Sequence, residues 1–398
     1  MNKSSEIIKT IKKTIDFRIE SSDIYVHEPS FEGSNAYEYV KECIDTGWVS
    51  SAGAWVSKFE KSISEFTGSK HVIAVSNGTV ALRLSLFLAG VRNNTEVIIP
   101  PLSFVATANS VSHLGAYPHF VDIDSESLGM CPKALDKRLN QIAVFKDKVL
   151  INKNTGRRIA AVVPVHVFGL PANIKEIKKV CSKWKLTLVE DAAEALGSRT
   201  EISNKMIHCG CFGELGILSF NGNKIITTGG GGAILTDDSN LASLAKHLST
   251  TAKVSHPWDF YHDEIAWNDR LPNINAALGA SQMELIENKI KRKRILHSRY
   301  LENFRNFNNV EIIKEPINSI SNYWLITMRL MDDNPENLKE IILRESHASK
   351  IFLRPSWRLL NHLPMYAKAP CGDLSIAINQ VNRLISLPSS PQLINTNN

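Results

Sequence analysis

The stretch that decides the fold class is His71-Val72-Ile73-Ala74-Val75-Ser76-Asn77-Gly78-Thr79-Val80-Ala81-Leu82. A short run of β-branched residues, typical of a buried strand, leads through Ser-Asn-Gly-Thr directly into an apolar helical pattern. The free N–H groups and the positive end of the helix dipole make such a turn a candidate phosphate site. An ordinary capped turn is the alternative.

The same alternation of strand and helix continues along the chain. Apolar runs predict strands at Glu96–Pro100, Ala116–Asp122, Ile159–Val167, Thr187–Asp191 and Ala233–Leu235, and helical patterns begin at Thr79 and Phe104 and span Ile174–Trp184. Runs rich in Val and Ile that are separated by helices predict an α/β fold, with a parallel or mixed sheet covered on both faces. Active sites on such sheets lie at the carboxyl ends of the strands.

The length of 398 residues exceeds what one hydrophobic core usually serves, so we expect two domains. After Leu271-Pro272-Asn273 the pattern predicts one long helix from Ile274 to about Phe304, followed by short strands such as Trp324–Met328. We therefore expect an N-terminal extension at 1–30, a large domain at 31–282 and a smaller C-terminal α/β domain at 283–398. Isoleucines at helical spacing in the extension predict a helix packed on the protein rather than on a membrane surface; they are Ile7, Ile8, Ile11 and Ile15.

The charge balance argues against several classes of function. Lysine and arginine number 46 and aspartate and glutamate 40, and the formal net charge of +6 favours small anions over nucleic acid as partners. The densest basic run, 289–294, is typical of a solvated helix face, and no nucleic-acid motif accompanies it. No stretch has the roughly 18 apolar residues of a membrane span, and 1–20 lacks the apolar region of a secretion signal, so we expect a cytoplasmic protein.

The cysteines indicate neither disulfides nor zinc. Six of them are scattered through the chain, which favours reduced thiols. The cluster His208-Cys209-Gly210-Cys211 has one Cys-x-Cys and no second half elsewhere, so we interpret it as a structural loop and expect no metal.

A lysine between an apolar strand and a Gly-rich turn is the first candidate for catalysis. The run Ser219-Phe220-Asn221-Gly222-Asn223-Lys224 precedes four glycines at 229–232 and then a new strand. A lysine between a strand and a Gly-rich turn has its amine held at a fixed place, where backbone can approach a ligand closely. This position suits a lysine that forms a Schiff base with an aldehyde. A surface or phosphate-contacting lysine is the alternative.

An acidic residue upstream suits the same chemistry. Asp191 ends the apolar run Thr187-Leu188-Val189-Glu190-Asp191. A buried carboxylate there could hold a pyridine nitrogen protonated, which makes the ring an electron sink. A helix N-cap is the alternative for a lone Asp. Because a phosphate site, this carboxylate and a Schiff-base lysine occur together on one α/β chain, the sequence predicts a pyridoxal-phosphate enzyme.

These residues carry a resemblance to a known family. The sequence resembles the DegT/DnrJ/EryC1/StrS sugar aminotransferases, which have the pyridoxal-phosphate-dependent transferase fold type I, like aspartate aminotransferase. The resemblance begins at about Tyr25 and rests on four runs: Ser219–Lys224 with the glycines that follow, Glu190–Ala195, Gly47–Ser51 and Arg354–Trp357. It is strongest to enzymes that aminate C4 of UDP-4-keto-6-deoxy-N-acetylhexosamines in the bacillosamine and legionaminic acid pathways.

The resemblance implies a role for each matching residue. Lys224 would hold pyridoxal 5'-phosphate and move protons, and Asp191 would pair with the pyridine nitrogen. The remaining cofactor contacts implied are Asn77, Gly78, Thr79, Phe104 stacked on the ring, His166, Glu194 near the phenolic oxygen, Ser219, Asn221 and Asn268. The segments that line the nucleotide-sugar pocket in relatives contain Ser51, Lys253, Arg354, Trp357 and His362. Asn268 matches an asparagine that reaches the neighbouring subunit's cofactor, which implies a homodimer with shared sites. Relatives commonly have Tyr-Asn-Tyr-Arg where this chain has Trp267-Asn268-Asp269-Arg270.

The function implied is transfer of an amino group from L-glutamate to C4 of a nucleotide-linked 4-keto-6-deoxy sugar, for surface glycan biosynthesis. One alternative is a sugar dehydratase of the same fold, but those known carry His in place of the Schiff-base lysine, and residue 224 is Lys. A regulatory protein that binds the cofactor without turnover is the other alternative, since fold does not dictate function.

Overall fold

The structure is a computed structural model that describes residues 3–15 and 23–394. The helices are α1 (Lys3–Thr14), α2 (Ala36–Asp45), α3 (Ala54–Thr67), α4 (Gly78–Leu88), α5 (Ala106–Ser112), α6 (Pro132–Ile142), α7 (Ile174–Trp184), α8 (Ser239–Ser249), α9 (Asn273–Met283), α10 (Ile286–Phe304), α11 (Pro335–Ala348) and α12 (Ser375–Val381). The strands are β1 (Ile24–Tyr25), β2 (His71–Val75), β3 (Glu96–Ile99), β4 (Tyr117–Phe120), β5 (Ala143–Lys146), β6 (Val149–Asn152), β7 (Ile159–Val162), β8 (Thr187–Asp191), β9 (Arg199–Ile202), β10 (Lys205–His208), β11 (Leu215–Ser219), β12 (Gly232–Thr236), β13 (Val310–Ile312), β14 (Ser319–Ile320), β15 (Thr327–Leu330), β16 (Ile351–Phe352), β17 (Arg354–Pro355) and β18 (Leu384–Ser386).

A seven-stranded sheet in the order β2-β12-β11-β8-β7-β3-β4 forms the centre of the fold. The strand β12 is antiparallel to both of its neighbours, and the pairs from β11 to β4 are parallel. Six strands therefore run in one direction, and their carboxyl ends meet at one edge. This mixed, mostly parallel α/β sheet confirms the fold class predicted from the sequence.

Both faces of the sheet are covered, which explains why its strands are mostly apolar. In β3, Val97 and Ile99 pack in a cluster with Leu82 of α4 and Val111 of α5. The residue between them, Ile98, faces the other way and packs with residues of α6 and α7. Because neighbouring side chains on a strand point to opposite faces, both sets of side chains in the middle of such a strand are buried.

The long helix predicted from Ile274 to about Phe304 is wrong in one respect, because the chain breaks between α9 and α10. Helix α9 packs on α2 and α3, whereas α10 packs on α1 and β13. No Gly or Pro marks the break, and the N–H of Leu285 bonds the carbonyl of Gln282 in a tight turn. The two helices pack in different hydrophobic cores. The break therefore depends on tertiary packing, which leaves no local signal in the sequence.

The C-terminal part of the chain is built on a four-stranded antiparallel sheet in the order β13-β15-β18-β17. The predicted strand at Trp324–Met328 starts only at Thr327, as β15. The isoleucines of α1 are buried in the same core as this sheet, so α1 packs on the protein as expected. The boundary at residue 283 stays a prediction, and residues 1–2, 16–22 and 395–398 lie outside the described part of the chain.

The basic run 289–294 does not form the solvated face that the sequence predicted. Lys289 and Lys293, one helical turn apart on α10, are both buried. Burial lowers the pKa of Lys289 to about 8 and the pKa of Lys293 well below its ordinary value. Charge alone predicted exposure, whereas these long side chains reach carbonyl groups inside the protein.

Within residues 3–15 and 23–394, no helix is long and apolar enough to cross a membrane, and no group of His, Cys, Asp or Glu could hold a metal ion. All six cysteines are free thiols. In the predicted loop at 208–211, the buried His208 accepts a hydrogen bond at 2.7 Å from the N–H of Gly197 through its Nε2.

Candidate active site

The predicted site residues gather at the carboxyl edge of the large sheet. Asp191 is the last residue of β8 and Ser219 the last of β11. Gly78 begins α4 just after β2, and the loop from β11 to β12 carries Lys224. The parallel arrangement of these strands therefore brings separate sequence motifs to one place.

The turn into α4 lies against the end of β11. A Cβ added to Gly78 would lie 2.8 Å from the Cβ of Ser219. Asn77 caps the helix, since its side-chain oxygen accepts the N–H of Val80 at 2.9 Å. Gly78 and Thr79 occupy the first turn of α4, where backbone N–H groups have no intrahelical partner and attract an anion.

The last glycine of the predicted Gly-rich turn is needed at the same place. A Cβ on Gly232, the first residue of β12, would lie 2.5 Å from the backbone carbon of Asn77. The two segments therefore touch through their backbones, and a side chain at 232 would push the α4 turn away from β11.

Asp191 is a buried carboxylate with donors on both oxygens. It is 6% exposed; Oδ2 accepts the Thr107 hydroxyl at 2.8 Å, and Oδ1 accepts the Ala193 N–H at 3.2 Å. Burial raises the pKa of Asp191, while the bond from Thr107 and the positive charge of Lys224 act in the opposite direction. Such a group gains most from a cationic partner, which a protonated pyridine nitrogen would be.

Lys224 has two partners for its amine. Nζ lies 3.4 Å from Oε1 of Glu194 and 3.8 Å from the centroid of the Trp324 ring. The Lys224 N–H bonds the carbonyl of Asn221 at 3.0 Å, so Asn221 starts the turn that sets the lysine's position. The amine lies on the site side of the loop, as the Schiff-base prediction requires.

The carboxylate of Glu194 is held by a backbone hydrogen bond. Its Oε2 accepts the N–H of Phe168 at 2.7 Å, and burial raises its pKa, opposed by the charge of Lys224. Phe168 has φ 59°, a left-handed conformation that is rare for a bulky residue. Next to it, a Cβ on Gly169 would lie 1.9 Å from Oδ1 of Asn322. Local strain of this kind persists where surrounding structure fixes the backbone, often at functional sites.

His166 is fully buried. Its Nδ1 accepts the Ala172 N–H at 3.0 Å, so the ring proton is on Nε2, which lies 3.0 Å from Oε2 of Glu190. Glu190 also accepts the backbone N–H groups of Gly210 and Gly213. Both ring nitrogens of His166 are thus used within the protein, and any contact with a ligand would involve the ring face or edge.

An aromatic wall, which we define as Phe104, Phe168, Trp324 and Trp357, stands beside Lys224. Trp357 stacks on Phe168 at 5.2 Å and on Trp324 at 6.3 Å between ring centroids, and Phe104 meets it edge-on at 6.2 Å. Phe104 is 51% exposed, which leaves its ring free to stack on a flat ligand. The structure therefore brings Phe104 and Trp357 together with the lysine.

The other predicted site residues lie around these groups, and within residues 3–15 and 23–394 none of them makes a hydrogen bond or ion pair with Lys224. Ser51 lies in the loop between α2 and α3, which is held by Asn273: its side chain donates to the carbonyl of Trp48 and accepts the N–H of Trp55. The Lys253 amine lies 3.8 Å from the centroid of the Phe260 ring. Arg354 and His362 are exposed.

The segment with the departure from the family pattern is fixed by an ion pair. Asp269 pairs with Arg83 of α4, and the Asp269 carbonyl accepts the Ser76 N–H at 2.8 Å. Asn268, which is exposed, bonds Arg270 Nε at 2.9 Å. Asp269 therefore ties the segment that carries Asn268 to the α4 turn.

Sequence reasoning missed Thr107, Phe168, Trp324 and Glu190. Thr107 lies three residues after the predicted Phe104, and Glu190 directly precedes Asp191, so both could have been found by proximity. Trp324 and Phe168 are apolar residues near predicted strands, and their role depends on contacts distant in sequence.

These features fit pyridoxal phosphate. Two backbone segments meet without room for a Cβ at a helix N-terminus, the buried Asp191 carboxylate can pair with a cation, and the Lys224 side chain is 12% exposed. Together with the sheet order, they define a pyridoxal-phosphate-dependent aminotransferase of fold type I.

Comparisons with known proteins give the family. A profile of the DegT/DnrJ/EryC1/StrS aminotransferase family matches residues 31–397. GDP-perosamine synthase of Vibrio cholerae is 34% identical over 371 residues, 93% of this chain and 95% of that protein. A solved aminotransferase of the family from Brucella abortus has TM-score 0.79 and 26% identity over 90% of each chain. PseC of Helicobacter pylori, an aminotransferase involved in pseudoaminic acid biosynthesis, has TM-score 0.82 and 25% identity over 94% of this chain and 95% of its own.

The chain belongs to the DegT/DnrJ/EryC1/StrS aminotransferase family. It is a sugar aminotransferase whose cofactor is pyridoxal phosphate, which confirms the family, the fold type and the cofactor predicted from the sequence.

Proposed function

We propose that this enzyme transfers the amino group of L-glutamate to C4 of a nucleotide-linked 4-keto-6-deoxy sugar, namely UDP-2-acetamido-2,6-dideoxy-4-hexulose, for surface glycan biosynthesis in the cytoplasm. The observation that carries the proposal is the Lys224 amine, 3.4 Å from the buried Glu194 at the carboxyl edge of the sheet. A lysine there favours amine transfer over the dehydratase alternative, and a complete set of site groups argues against a purely regulatory role.

The protein's own groups then have distinct tasks. Pyridoxal phosphate supplies an electron sink when bound. Lys224 moves the proton at the reacting carbon, and Glu194 accepts a hydrogen bond from its amine. Asp191 keeps the ring nitrogen protonated, supported by Thr107. The N–H groups of Gly78 and Thr79, with the Ser219 hydroxyl, hold the phosphate.

We further propose a homodimer in which each subunit completes the site of the other. The segment 254–265 is exposed and rich in aromatic residues, with Trp258 at 80% and Ile265 at 92% exposure. Large apolar side chains exposed together indicate an interface. Asn268 and Arg270 follow this segment directly, so a partner covering it would meet both polar groups. Asn268 would then reach the partner's cofactor phosphate.

The sugar nucleotide is recognised by groups around the mouth of the site. Lys253, Arg354 and His362 are exposed cations or donors suited to a diphosphate, and Trp357 and Ser51 would contact the sugar. Binding remote from C4 positions a large ketone without changing the chemistry at the reacting carbon. The name of the Vibrio cholerae relative favours a GDP-linked sugar as the second candidate.

The test is to supply L-glutamate with either UDP-2-acetamido-2,6-dideoxy-4-hexulose or the GDP-linked 4-keto-6-deoxyhexose and to measure 2-oxoglutarate. We expect turnover with the UDP sugar at a higher kcat/KM and none in Lys224→Ala. A higher kcat/KM with the GDP sugar would replace the first candidate by the second. Turnover in Lys224→Ala at the wild-type rate would refute the mechanism.

A further inference from the structure

The indole of Trp324 lies beside the amine of Lys224. Lys224 Nζ lies over the ring of Trp324, 3.8 Å from its centroid. An ammonium within about 6 Å of an indole face is attracted to the negative face of the ring. The Trp324 ring is therefore a specific partner for Lys224 when its amine is charged and not bonded to a cofactor.

Glu194 alone does not satisfy the amine. Its Oε1 lies 3.4 Å from Nζ, longer than the roughly 2.8 Å of a strong charge-assisted hydrogen bond. Its other oxygen is occupied by the Phe168 N–H at 2.7 Å. The ring therefore contributes to holding the ammonium at this place.

Trp324 is held rigidly in this orientation. Its N–H bonds Oδ1 of Asn322 at 2.8 Å, and its Nε1 donates to the carbonyl of Asn223 at 2.7 Å. Trp357 stacks on its ring with an interplanar angle of 17°. The bond to Asn223 ties the indole to the residue next to Lys224, so ring and lysine are set relative to each other.

A buried lysine supports the same tryptophan. Lys293 has no exposed surface, and its amine donates to the carbonyl of Trp324 at 3.1 Å and to the carbonyl of Ser389. Burying a lysine is costly unless its donors are used. Lys293 is therefore a positioning residue for Trp324.

We propose that the Lys224 ammonium packs on the Trp324 ring in the half of the catalytic cycle when the lysine is not bonded to the cofactor. This inference rests on the proposed function. In the donor half-reaction, L-glutamate and water become 2-oxoglutarate, and the amino nitrogen passes to the cofactor as pyridoxamine phosphate. The bond between Lys224 and the cofactor breaks, and the lysine keeps its own nitrogen and takes up protons. The released ammonium then lies between Trp324 and Glu194.

Binding of the two cofactor forms to apoprotein tests this without turnover. Pyridoxal phosphate takes Lys224 off the ring, whereas pyridoxamine phosphate leaves it there. In Trp324→Leu, the dissociation constant of pyridoxamine phosphate divided by that of pyridoxal phosphate should rise about twofold to thirtyfold, the range that a cation–π contact supplies. Trp324→Phe keeps a ring face and should stay near the wild-type ratio.

Two further variants keep the test decisive. Trp184→Leu removes an indole of α7 that bonds Asp136, on a different part of the protein, and should leave the ratio unchanged. Lys293→Met loosens Trp324 without removing it and should shift the ratio in the direction of Trp324→Leu, which serves if the latter fails to fold.

Equal weakening of both cofactor forms in Trp324→Leu would indicate a merely structural role, and an unchanged ratio would also overturn the proposal. Failure of the proposed function itself looks different: the wild-type protein would then form no covalent bond with pyridoxal phosphate, as read from the absorbance band, whatever residue stands at 324.

Discussion

Replacing Thr107 by Val should weaken cofactor binding through Asp191 alone. The Thr107 hydroxyl donates to Asp191 at 2.8 Å and itself lies 2.7 Å from the Ser103 hydroxyl, all three groups being buried. Valine has nearly the same shape, so no cavity forms. A buried hydrogen bond to a charged group contributes about 1.5–3 kcal/mol, which corresponds to a roughly 10- to 150-fold weaker affinity for pyridoxal phosphate.

The assay is titration of apoprotein with pyridoxal phosphate, followed by absorbance. Thr107→Ser retains the donor and should bind within a few-fold of wild type. Ser112→Ala, an exposed hydroxyl on the same helix, serves as the matched control. A Thr107→Val protein that binds the cofactor within twofold of wild type would refute the claim that Asp191 must stay charged to hold it.

Three other perturbations have effects set by the structure. Gly78→Ala should weaken phosphate binding, because the new methyl would lie 2.8 Å from Ser219 Cβ, and inorganic phosphate competing with the cofactor measures it. Asp269→Asn leaves Arg83 without its partner and should lower the free energy of unfolding by about 1–3 kcal/mol in urea, whereas a change below 0.3 would contradict a buried pair. Burial and nearby Arg199 lower the pKa of His208 to about 3. His208 therefore takes up a proton near pH 6.5 in the unfolded chain but stays neutral in the native state. The free energy of unfolding should fall by roughly 3 kcal/mol from pH 7 to pH 4.5, and this loss should be absent in His208→Gln.

The sequence predicted those features that depend on local pattern. The strand β8 and the helix α7 have the predicted bounds, and the motifs lie at or just after the carboxyl ends of strands. Once the strands are parallel, Asp191 and Lys224 must share an edge, so the core of the site followed from order and spacing.

The remaining features depend on contacts between distant segments. The break after Met283 has no Gly or Pro to mark it. Lys293 lies in a charged run but is buried, and its amine donates to the carbonyl of Trp324, a residue 31 positions away. Trp324 itself was assigned to a strand, whereas it precedes β15 and faces Lys224. Hydrophobic periodicity records which residues avoid water but not which partners they meet.

The measurement that tests the central claim most directly is reduction of the protein loaded with pyridoxal phosphate by borohydride, followed by peptide mapping by mass spectrometry. The account predicts a single pyridoxyl label on Lys224, and bleaching of the cofactor's absorbance band when L-glutamate is added before reduction. A label on another lysine, or a cofactor that stays unlabelled and unresponsive to glutamate, would contradict it.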